Sequence, residues 1–469
     1  MPHTPAVSAN SSRDTIIRIM PDSVVTNWFG DLVSHPQVVV DAASVNDIVA
    51  ILKDPERFPS PVRAIGSYHS TAPCGSADGT TIRMSGMNRI LEITADTVTV
   101  EAGAIYVDIA KALEEKHLQF HVNTEIGNLT AGSAACAGTK DASMPGEFGQ
   151  VGSYVTKIKM VLPDGNLLEV TEAQSDLMQK VRSSYGTFGI VYEVTFRVRP
   201  IVPLAVRHET FSLEDFRAKL PQLKARGESL MFYIFPFDGL ITVEFRHYNP
   251  DAKGDPDRSL WPLRNYLWAT AGPAVCAQAV RDIENPGIRY SVIDGFNALW
   301  RLKLTVILHN DNTIAADQMI RYPKVADASR YTFSLWAFPE EVYPDVVADS
   351  FAFCRRYFQE TGYRINMLFV GYQVAQDQGS LLSYSFNGNA MTIDPVSTAN
   401  PGWEEFLLAY NQFCSDRGGT PLLNQTKGLT RAQVEKALGE RWKTFAATRK
   451  TFDPQDRLLS PYFRELLGE

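Results

Sequence analysis

The stretch at residues 61–75, Pro-Val-Arg-Ala-Ile-Gly-Ser-Tyr-His-Ser-Thr-Ala-Pro-Cys-Gly, most constrains how this chain of 469 residues can fold. The short apolar run that begins at Val62 predicts a buried strand, and Gly66 then allows a close approach of the backbone to another group. A turn of amides without side-chain bulk favours phosphate oxygens. Because His69 follows directly, the pattern predicts either an anion-binding loop with a functional histidine or a surface turn with an incidental one.

Length and composition limit the class of protein. The chain is 45% hydrophobic and 21% charged, which is typical of a soluble globular protein of two or three domains. Its formal net charge of -8 argues against a nucleic-acid partner. Five cysteines without a C-x-x-C spacing indicate neither a disulfide framework nor a zinc site, so we expect a reducing, cytoplasmic compartment and no metal.

Neither a signal peptide nor a membrane span is predicted. The first fourteen residues are polar and lack an apolar core, and we interpret residues 1–20 as a disordered tail. No apolar run reaches the roughly 18 residues that a membrane span needs.

The pattern of elements predicts an α+β fold with a domain boundary near residue 203. In the first part, short β runs at residues 38–40, 62–65, 80–84, 90–93 and 97–101 precede a hairpin around Asp164-Gly165. We expect the second part to be an antiparallel sheet with covering helices, with strands at residues 230–235, 240–248, 363–372, 381–386 and 390–396. The predicted segments are therefore 21–202, 203–424 and a C-terminal segment, 425–469.

A Trp- and Leu-rich stretch at residues 255–311 interrupts the second part. Three interpretations stay open for it: a lid over a substrate channel, a membrane-surface patch, or an ordinary helical elaboration.

Residues 127–152 differ from the rest because almost every residue from Thr130 to Thr139 is small. Such a series lets two backbones, or a backbone and a planar ligand, come into van der Waals contact, although a glycine-rich linker would have a similar composition. Ser133 stands where a P-loop requires lysine, which excludes a nucleotide triphosphatase of that type. No G-x-G-x-x-G follows the first strand, so a Rossmann fold is not indicated.

In order and spacing, these motifs resemble those of the FAD-linked oxidases of the vanillyl-alcohol oxidase superfamily. The alditol and aldonolactone oxidase branch is the most similar, with a secondary similarity to decaprenylphosphoryl-ribose oxidase. Asn27-Trp28-Phe29-Gly30 resembles the N-terminal motif of the branch, and residues 65–70 resemble its pyrophosphate loop, with Tyr68 in place of the usual glycine. Residues 130–139 resemble the second flavin loop, and residues 185–191 the closing glycine turn.

The resemblance implies a two-part FAD-binding domain, an antiparallel-sheet substrate domain, and FAD joined covalently through His69. A histidyl bond would tether the cofactor and raise its reduction potential. The residues that the resemblance assigns to FAD are Ile65, Gly66, Ser67, Tyr68, His69, Ser70, Thr130, Gly132, Ser133, Gly138, Thr139, Gly189 and Ile190. Some members of the superfamily add a cysteinyl bond, from a cysteine that precedes the small-residue turn. Cys136 follows this turn, so the resemblance implies a single linkage, and Cys136 is interpreted as a core residue.

Lys427 is the catalytic candidate. Members of the family carry a lysine close to this position, where a cation would stabilise the reduced flavin ring and hold the substrate hydroxyl. The alternative is a solvated lysine in a turn.

The substrate pocket departs from that of the polyol oxidases, whose carboxylate and arginine correspond here to apolar residues around Asn366. A sugar polyol is therefore disfavoured. The candidates for the pocket are Trp336, Asn366, Met367, Phe369 and, more weakly, Lys140, which stands where many members have histidine but is interpreted as a surface lysine.

The resemblance implies an FAD-dependent oxidase that moves a hydride from a CH–OH carbon to flavin N5, with dioxygen as the oxidant and peroxide as the product. The expected partner is a small-molecule alcohol less polar than an alditol. Two alternatives stay open: a dehydrogenase that passes electrons from a sugar-lactone or lipid-linked substrate to a quinone or a protein, and a flavin-binding protein without turnover.

Overall fold

The computed structural model describes residues 18–20, 24–259, 261–307, 309–323 and 331–469. Most of the predicted N-terminal tail, residues 1–17, lies outside these ranges. The last three residues of that tail were predicted wrongly, since residues 18–20 form a strand that pairs with residues 39–41.

The elements follow in chain order. The strands are β1 (Arg18–Met20), β2 (Val25–Thr26), β3 (Val33–Ser34), β4 (Val38–Asp41), β5 (Val62–Ile65), β6 (Thr80–Arg83), β7 (Ile90–Ile93), β8 (Thr97–Glu101), β9 (Leu118–Phe120), β10 (Val155–Val161), β11 (Leu167–Thr171), β12 (Ile190–Pro200), β13 (Leu204–Ser212), β14 (Ser229–Phe235), β15 (Leu240–Tyr248), β16 (Asn310–Thr313), β17 (Thr332–Phe333), β18 (Trp336–Pro339), β19 (Phe369–Val374), β20 (Ala390–Ser397) and β21 (Thr420–Pro421). The α-helices are α1 (Val45–Lys53), α2 (Tyr106–Glu114), α3 (Ala131–Cys136), α4 (Ser175–Val181), α5 (Leu213–Lys224), α6 (Trp261–Tyr266), α7 (Gly272–Asp282), α8 (Pro286–Ile307), α9 (Tyr343–Thr361), α10 (Trp403–Asp416), α11 (Arg431–Leu438), α12 (Glu440–Phe452) and α13 (Pro461–Leu467).

The first part of the chain contains two sheets that share one core. In the first sheet, the order is β1-β4-β6-β5, and β6 pairs in parallel with both β4 and β5. In the second, the order is β11-β10-β12-β8-β7, with antiparallel pairs throughout. Val40 and Ile82 of the first sheet pack in one buried cluster with Val161 and Ile190 of the second. This packing places the loop after β5 beside the start of β12.

The second part is a long antiparallel sheet in the order β16-β13-β15-β14-β19-β20-β18-β21, with β17 on β20. Side chains alternate across it, as a half-buried strand requires. In β14, Phe232 packs in the cluster that contains α5 and α9, whereas Tyr233 packs in the cluster that contains α6 to α8. The stretch at residues 255–311 is thus largely helical, with a π-helical turn at Leu267–Ala271 between α6 and α7. Across the described residues, no helix combines the length and the hydropathy that a membrane crossing requires.

Two of the predicted strands differ from the structure. The strand predicted at residues 363–372 begins only at Phe369, and residues 381–386 form turns. The backbone groups of these turns have partners other than a neighbouring strand. The Leu381 N–H donates to the Gln179 carbonyl at 2.9 Å, and Arg441 donates to the carbonyls of Leu381 and Ser383 at 3.1 and 2.7 Å.

The C-terminal segment returns to the start of the chain. The Val62 N–H donates to the Arg457 carbonyl at 2.8 Å. The Arg457 guanidinium donates in turn to the carbonyls of Ile51 and Phe58, at 2.8 and 2.6 Å. The segment between α12 and α13 therefore supports β5, the strand that leads into the His69 loop.

Candidate functional site

A cleft with about 1010 Å³ of space not filled by protein atoms lies between the loops of the first part. Most of the residues assigned to FAD by resemblance line it: Ile65, Gly66, Ser67, Tyr68, His69, Ser70, Thr130, Gly132, Ser133, Thr139, Gly189 and Ile190. Gly138 is not among the lining residues; a Cβ there would meet the Leu422 side chain at 2.5 Å.

His69 lies in the wall of this cleft with a deeply buried side chain. Its ring stacks on Trp28 at a centroid distance of 4.5 Å and meets the edge of Phe29 at 5.8 Å. Neither ring nitrogen has a hydrogen-bond partner among the described residues. Burial lowers the pKa of His69 to about 3, and the Asn128 side chain offsets this shift only in part. The imidazole is therefore neutral near pH 7, and its lone pair is available to a ligand.

The motif at residues 27–30 holds the His69 loop in place. The Trp28 N–H donates to the Tyr68 carbonyl at 2.7 Å, and the Asn27 amide donates to the Ser70 carbonyl at 3.0 Å. The Trp28 indole donates to the Pro323 carbonyl at 3.1 Å. The motif therefore fixes the loop on both sides of His69.

Tyr68 has a φ of 54°, in the left-handed region that glycine adopts more readily than tyrosine. This conformation explains why glycine is usual at this position. The Tyr68 side chain turns away from His69, and its hydroxyl lies 2.7 Å from the Ser76 Oγ. The ring also packs beside Ile65 in a small cluster with Val25 and Val39, so it anchors the loop.

The two loops that line the cleft touch at Gly66. A Cβ at this position would lie 1.9 Å from the Thr130 Oγ1 and 2.8 Å from its Cβ, so only glycine fits. This close approach, the small residues along the cleft and the unpartnered nitrogens of His69 fit a large planar ligand with a long polar tail. The residues present therefore fit FAD, which would be held by the loops at residues 65–70 and 130–139.

In the segment before α11, Lys427 does not lie in the cleft where the sequence predicts it. Asn424 and Gln425 line the cleft, whereas Lys427 does not. The Lys427 Nζ lies 2.7 Å from the Glu404 Oε1 and 3.9 Å from the Asp31 Oδ2. The structure thus brings Gln425, and not Lys427, to the cofactor loops, because only the former points inward from this turn.

We expect substitutions of Lys427 and of Gln425 to have different effects. Lys427→Met removes a partly exposed ion pair, which contributes about 0–1 kcal/mol to stability, and should leave flavin reduction within about threefold of the wild-type rate. Gln425→Leu removes a polar group from the cleft wall and should weaken FAD retention or slow flavin reduction by roughly tenfold, or about 1.4 kcal/mol. Stopped-flow reduction and FAD stoichiometry measure both effects. The reverse order of effects would restore Lys427 as the catalytic residue.

The interpretation of Lys140 as a surface residue is wrong, because its side chain is only 7% exposed. Its Nζ lies 3.5 Å from the Asp394 Oδ2 and 3.4 Å from the centroid of the Tyr372 ring. The side chain crosses from the second flavin loop to the sheet of the second part. Its burial follows from the packing of residues 141–143 against β19, where the Ser143 N–H donates to the Gln373 carbonyl at 2.9 Å.

The other substrate-pocket candidates are dispersed. Trp336 is fully buried and donates from its indole to the Asn411 Oδ1 at 3.0 Å, and Phe369 packs on Tyr410. Asn366 is taken up by Thr398, to which its amide donates at 2.6 Å. Met367 lines a small cavity beside α7 and α8. None of these four lines the cleft that contains His69, since their strand positions or local hydrogen bonds turn them elsewhere.

Several residues near His69 had no signal in the sequence. Tyr322 meets the His69 ring at a centroid distance of 6.5 Å, and its hydroxyl donates to the Glu125 Oε1 at 2.9 Å. The Arg264 guanidinium, from the helical insertion, donates to the other Glu125 oxygen at 3.0 Å. These residues come from three distant segments, so no local pattern links them. Cys136 and Cys74 also line the cleft as free, buried thiols.

Comparison with known proteins identifies the class. Residues 36–171 match the FAD binding domain family. L-gulono-1,4-lactone dehydrogenase of Mycobacterium tuberculosis is 22% identical over 94% of this chain and 99% of its own length. L-gulonolactone oxidase of Mus musculus is 23% identical over 50% of this chain and 54% of its own length. The crystal structure of cholesterol oxidase from B. sterolicum superimposes with a TM-score of 0.76 at 16% identity, covering 99% of this chain and 100% of that one.

Residues 36–171 therefore match an FAD-binding domain, and the chain has the fold of cholesterol oxidase. The predicted resemblance to the aldonolactone branch of the FAD-linked oxidases is confirmed by relatives named as lactone dehydrogenases and oxidases. The predicted fold class, α+β with an antiparallel second sheet, is also confirmed.

Proposed function

We propose that this protein is an FAD-dependent oxidase that takes a hydride from a CH–OH carbon, with dioxygen reoxidising the flavin to give hydrogen peroxide. FAD is bonded covalently through His69. The substrate is a small-molecule alcohol with fewer hydroxyl groups than an alditol, a class to which the lactones named in the relatives belong.

One observation carries the proposal: the unprotonated, unpartnered imidazole of His69 in the wall of the cleft. His69 is 4% exposed, and its nitrogens have no hydrogen bond of ordinary geometry, since the nearby Asn128 amide is bonded to the Tyr322 backbone. Such a histidine is costly to bury unless a ligand completes its environment. Bound FAD supplies a two-electron acceptor for hydride. The loops at residues 65–70 and 130–139 position it, and Trp28 and Phe29 exclude water from the His69 ring.

A dehydrogenase is the second candidate function. It is favoured by the relative that aligns over 94% of this chain, which is named a dehydrogenase. Its electrons would pass to a quinone or a protein, and the reaction at the alcohol carbon would be the same.

Anaerobic mixing tests the proposal. We expect the absorbance of the bound flavin to bleach with at least one member of a panel of aldonolactones, alditols, sterols and aromatic alcohols. Air should then restore the colour and yield one equivalent of peroxide. Recovery only with a quinone or a dye acceptor would establish the dehydrogenase. Flavin that stays oxidised with the whole panel would contradict both, and would indicate a flavin-binding protein without turnover.

A further inference from the structure

Three aromatic side chains surround the His69 ring. Trp28 lies against its face, with the ring centroids 4.5 Å apart and the two planes inclined by 21°. Phe29 presents its edge at 5.8 Å, and the Tyr322 ring lies 6.5 Å away at an angle of 64°. His69 itself lines the cleft that fits FAD, whereas none of these three aromatic residues does. The imidazole therefore contacts an indole on one side and borders the cleft on another.

Two hydrogen bonds fix the position of Trp28. Its backbone N–H donates to the Tyr68 carbonyl at 2.7 Å, and its indole N–H donates to the Pro323 carbonyl at 3.1 Å. One bond holds the main chain and the other holds the far end of the side chain, so the indole cannot rotate without breaking one of them. The indole plane in turn fixes the plane of the His69 ring that stacks on it.

The surroundings of His69 contain little that would stabilise a positive charge. Neither ring nitrogen has a hydrogen-bond partner among the described residues, and no carboxylate in that part of the chain forms an ion pair with the ring. Burial lowers its pKa to about 3, so the site disfavours the protonated form. The Glu125 carboxylate, which accepts from Tyr322, is already paired with Arg264. The face of Trp28 is the electron-rich surface that lies against the imidazole.

Covalent attachment of FAD would place a positive charge on this ring. One ring nitrogen forms a bond to the 8α carbon of the flavin, a C–H bond of that methyl group breaks, and its electron pair reduces the flavin ring by two electrons. The bonded imidazole is a cation until its remaining N–H proton leaves. Dioxygen, the oxidant of the proposed function, then takes up the two electrons and the two released protons as hydrogen peroxide.

A cation within about 6 Å of the face of a tryptophan is stabilised by the quadrupole of the ring, and more strongly where water is excluded. The stack of Trp28 on the buried His69 meets both conditions. We propose that Trp28 promotes the covalent attachment of FAD, by stabilising the positive charge that forms on His69 and by fixing the plane of its ring. The inference rests on the proposed function. Trp28 is a positioning residue, because it acts through His69.

The test measures the rate of attachment. Full-length protein without flavin, made in cells starved of riboflavin, is mixed with FAD, and the fluorescence that stays on the acid-denatured band is followed over time. We expect Trp28→Leu, which keeps an apolar side chain but has no aromatic face, to slow attachment roughly 10- to 30-fold. Trp28→Phe keeps an aromatic face and should remain within about threefold of the wild-type rate.

Phe29→Leu is the matched control. It removes an aromatic neighbour that presents its edge, where the partial charge is positive, so attachment should stay within about threefold of the wild-type rate. Equal slowing in Phe29→Leu and Trp28→Leu would indicate looser packing alone and would overturn the inference. In a His69→Ala background, Trp28→Leu should leave the dissociation constant of FAD unchanged, because Trp28 does not line the cleft.

A second measurement keeps the inference testable if Trp28→Leu does not fold. The chain has seven tryptophans, and replacing all of them with 5-fluorotryptophan makes each aromatic face less electron-rich with little change of shape. Fluorination should slow attachment roughly threefold in the wild type and should have no effect in Trp28→Phe, which retains the other six. Equal slowing of both proteins, or of neither, would contradict the role of Trp28.

A wild-type rate of attachment in Trp28→Leu would overturn the inference while the proposed function stands. A wild-type protein that releases all of its flavin into acid would instead contradict the covalent bond of the proposed function, and the inference with it.

Discussion

We expect His69→Ala to abolish the covalent attachment of FAD, so that every molecule binds FAD reversibly. In the wild type, acid denaturation should leave flavin fluorescence on the 52.2 kDa band, whereas His69→Ala should release all of it. The reason is that the His69 ring has a free lone pair at neutral pH in the wall of the cleft. Loss of the electron-withdrawing bond should also lower the flavin midpoint potential and slow reduction by roughly tenfold, or about 1.4 kcal/mol.

His121→Ala is the matched control. His121 is also partly buried, and it stacks on Tyr154 at a centroid distance of 4.3 Å, away from the cleft lining. Its replacement should leave the fluorescence on the band. Flavin that the wild type releases into acid would rule out the covalent bond, although the cleft would still fit a dissociable FAD.

Gly66→Ala is expected to have the second large effect, through the contact between the two flavin loops. The added Cβ would meet the Oγ1, Cγ2 and Cβ of Thr130 at 1.9, 2.6 and 2.8 Å, so no rotation of the Thr130 side chain relieves the overlap. The backbone must shift, which costs about 1–3 kcal/mol in a packed site. We expect a lower melting temperature and a roughly tenfold lower incorporation of FAD, or about 1.4 kcal/mol, measured by calorimetry and by flavin stoichiometry.

Two further variants test the explanation for the effect of Gly66→Ala. Gly295→Ala, in α8, introduces a Cβ with nothing within 4 Å, and should be neutral or slightly stabilising. Thr130→Ala added to Gly66→Ala removes two of the three overlaps and should restore part of the FAD content. Full FAD content and an unchanged melting temperature in Gly66→Ala would show that the two loops move apart without cost.

The local elements of the fold could be predicted because their signals are local. Asp164-Gly165 predicts a hairpin, and in the structure β10 and β11 pair in antiparallel fashion on either side of it. Residues 381–386 have the apolar content of a strand, yet side chains from elsewhere satisfy their backbone groups. No property of the segment itself reveals those partners.

The sequence could predict the site residues that lie within the cofactor-binding loops. It could not predict those that approach these loops from distant segments. His69 and the small residues near Thr130 form continuous stretches whose composition carries the signal. Gln425 and Lys427 lie in the same turn, which directs the Gln425 side chain toward the cleft and the Lys427 side chain away from it. Lys140 is buried by its contact with Asp394, which is 254 residues away in sequence. Contacts of this kind arise from the packing of the sheets and leave no periodic pattern.

The hydrogen bonds that Arg457 makes with β5 and with the segment before it also have a consequence for biosynthesis. The Arg457 guanidinium and the Ile51 carbonyl are 406 residues apart in sequence, so this support is missing until nearly the whole chain has been made. At about 5–20 residues per second, translation takes roughly half a minute to a minute and a half. During that time, β5 and the loop that follows it lack the hydrogen bonds that Arg457 provides in the complete chain. We therefore expect FAD to bind late, after the C-terminal segment has left the ribosome. Nascent chains that lack this segment are the most exposed to misfolding.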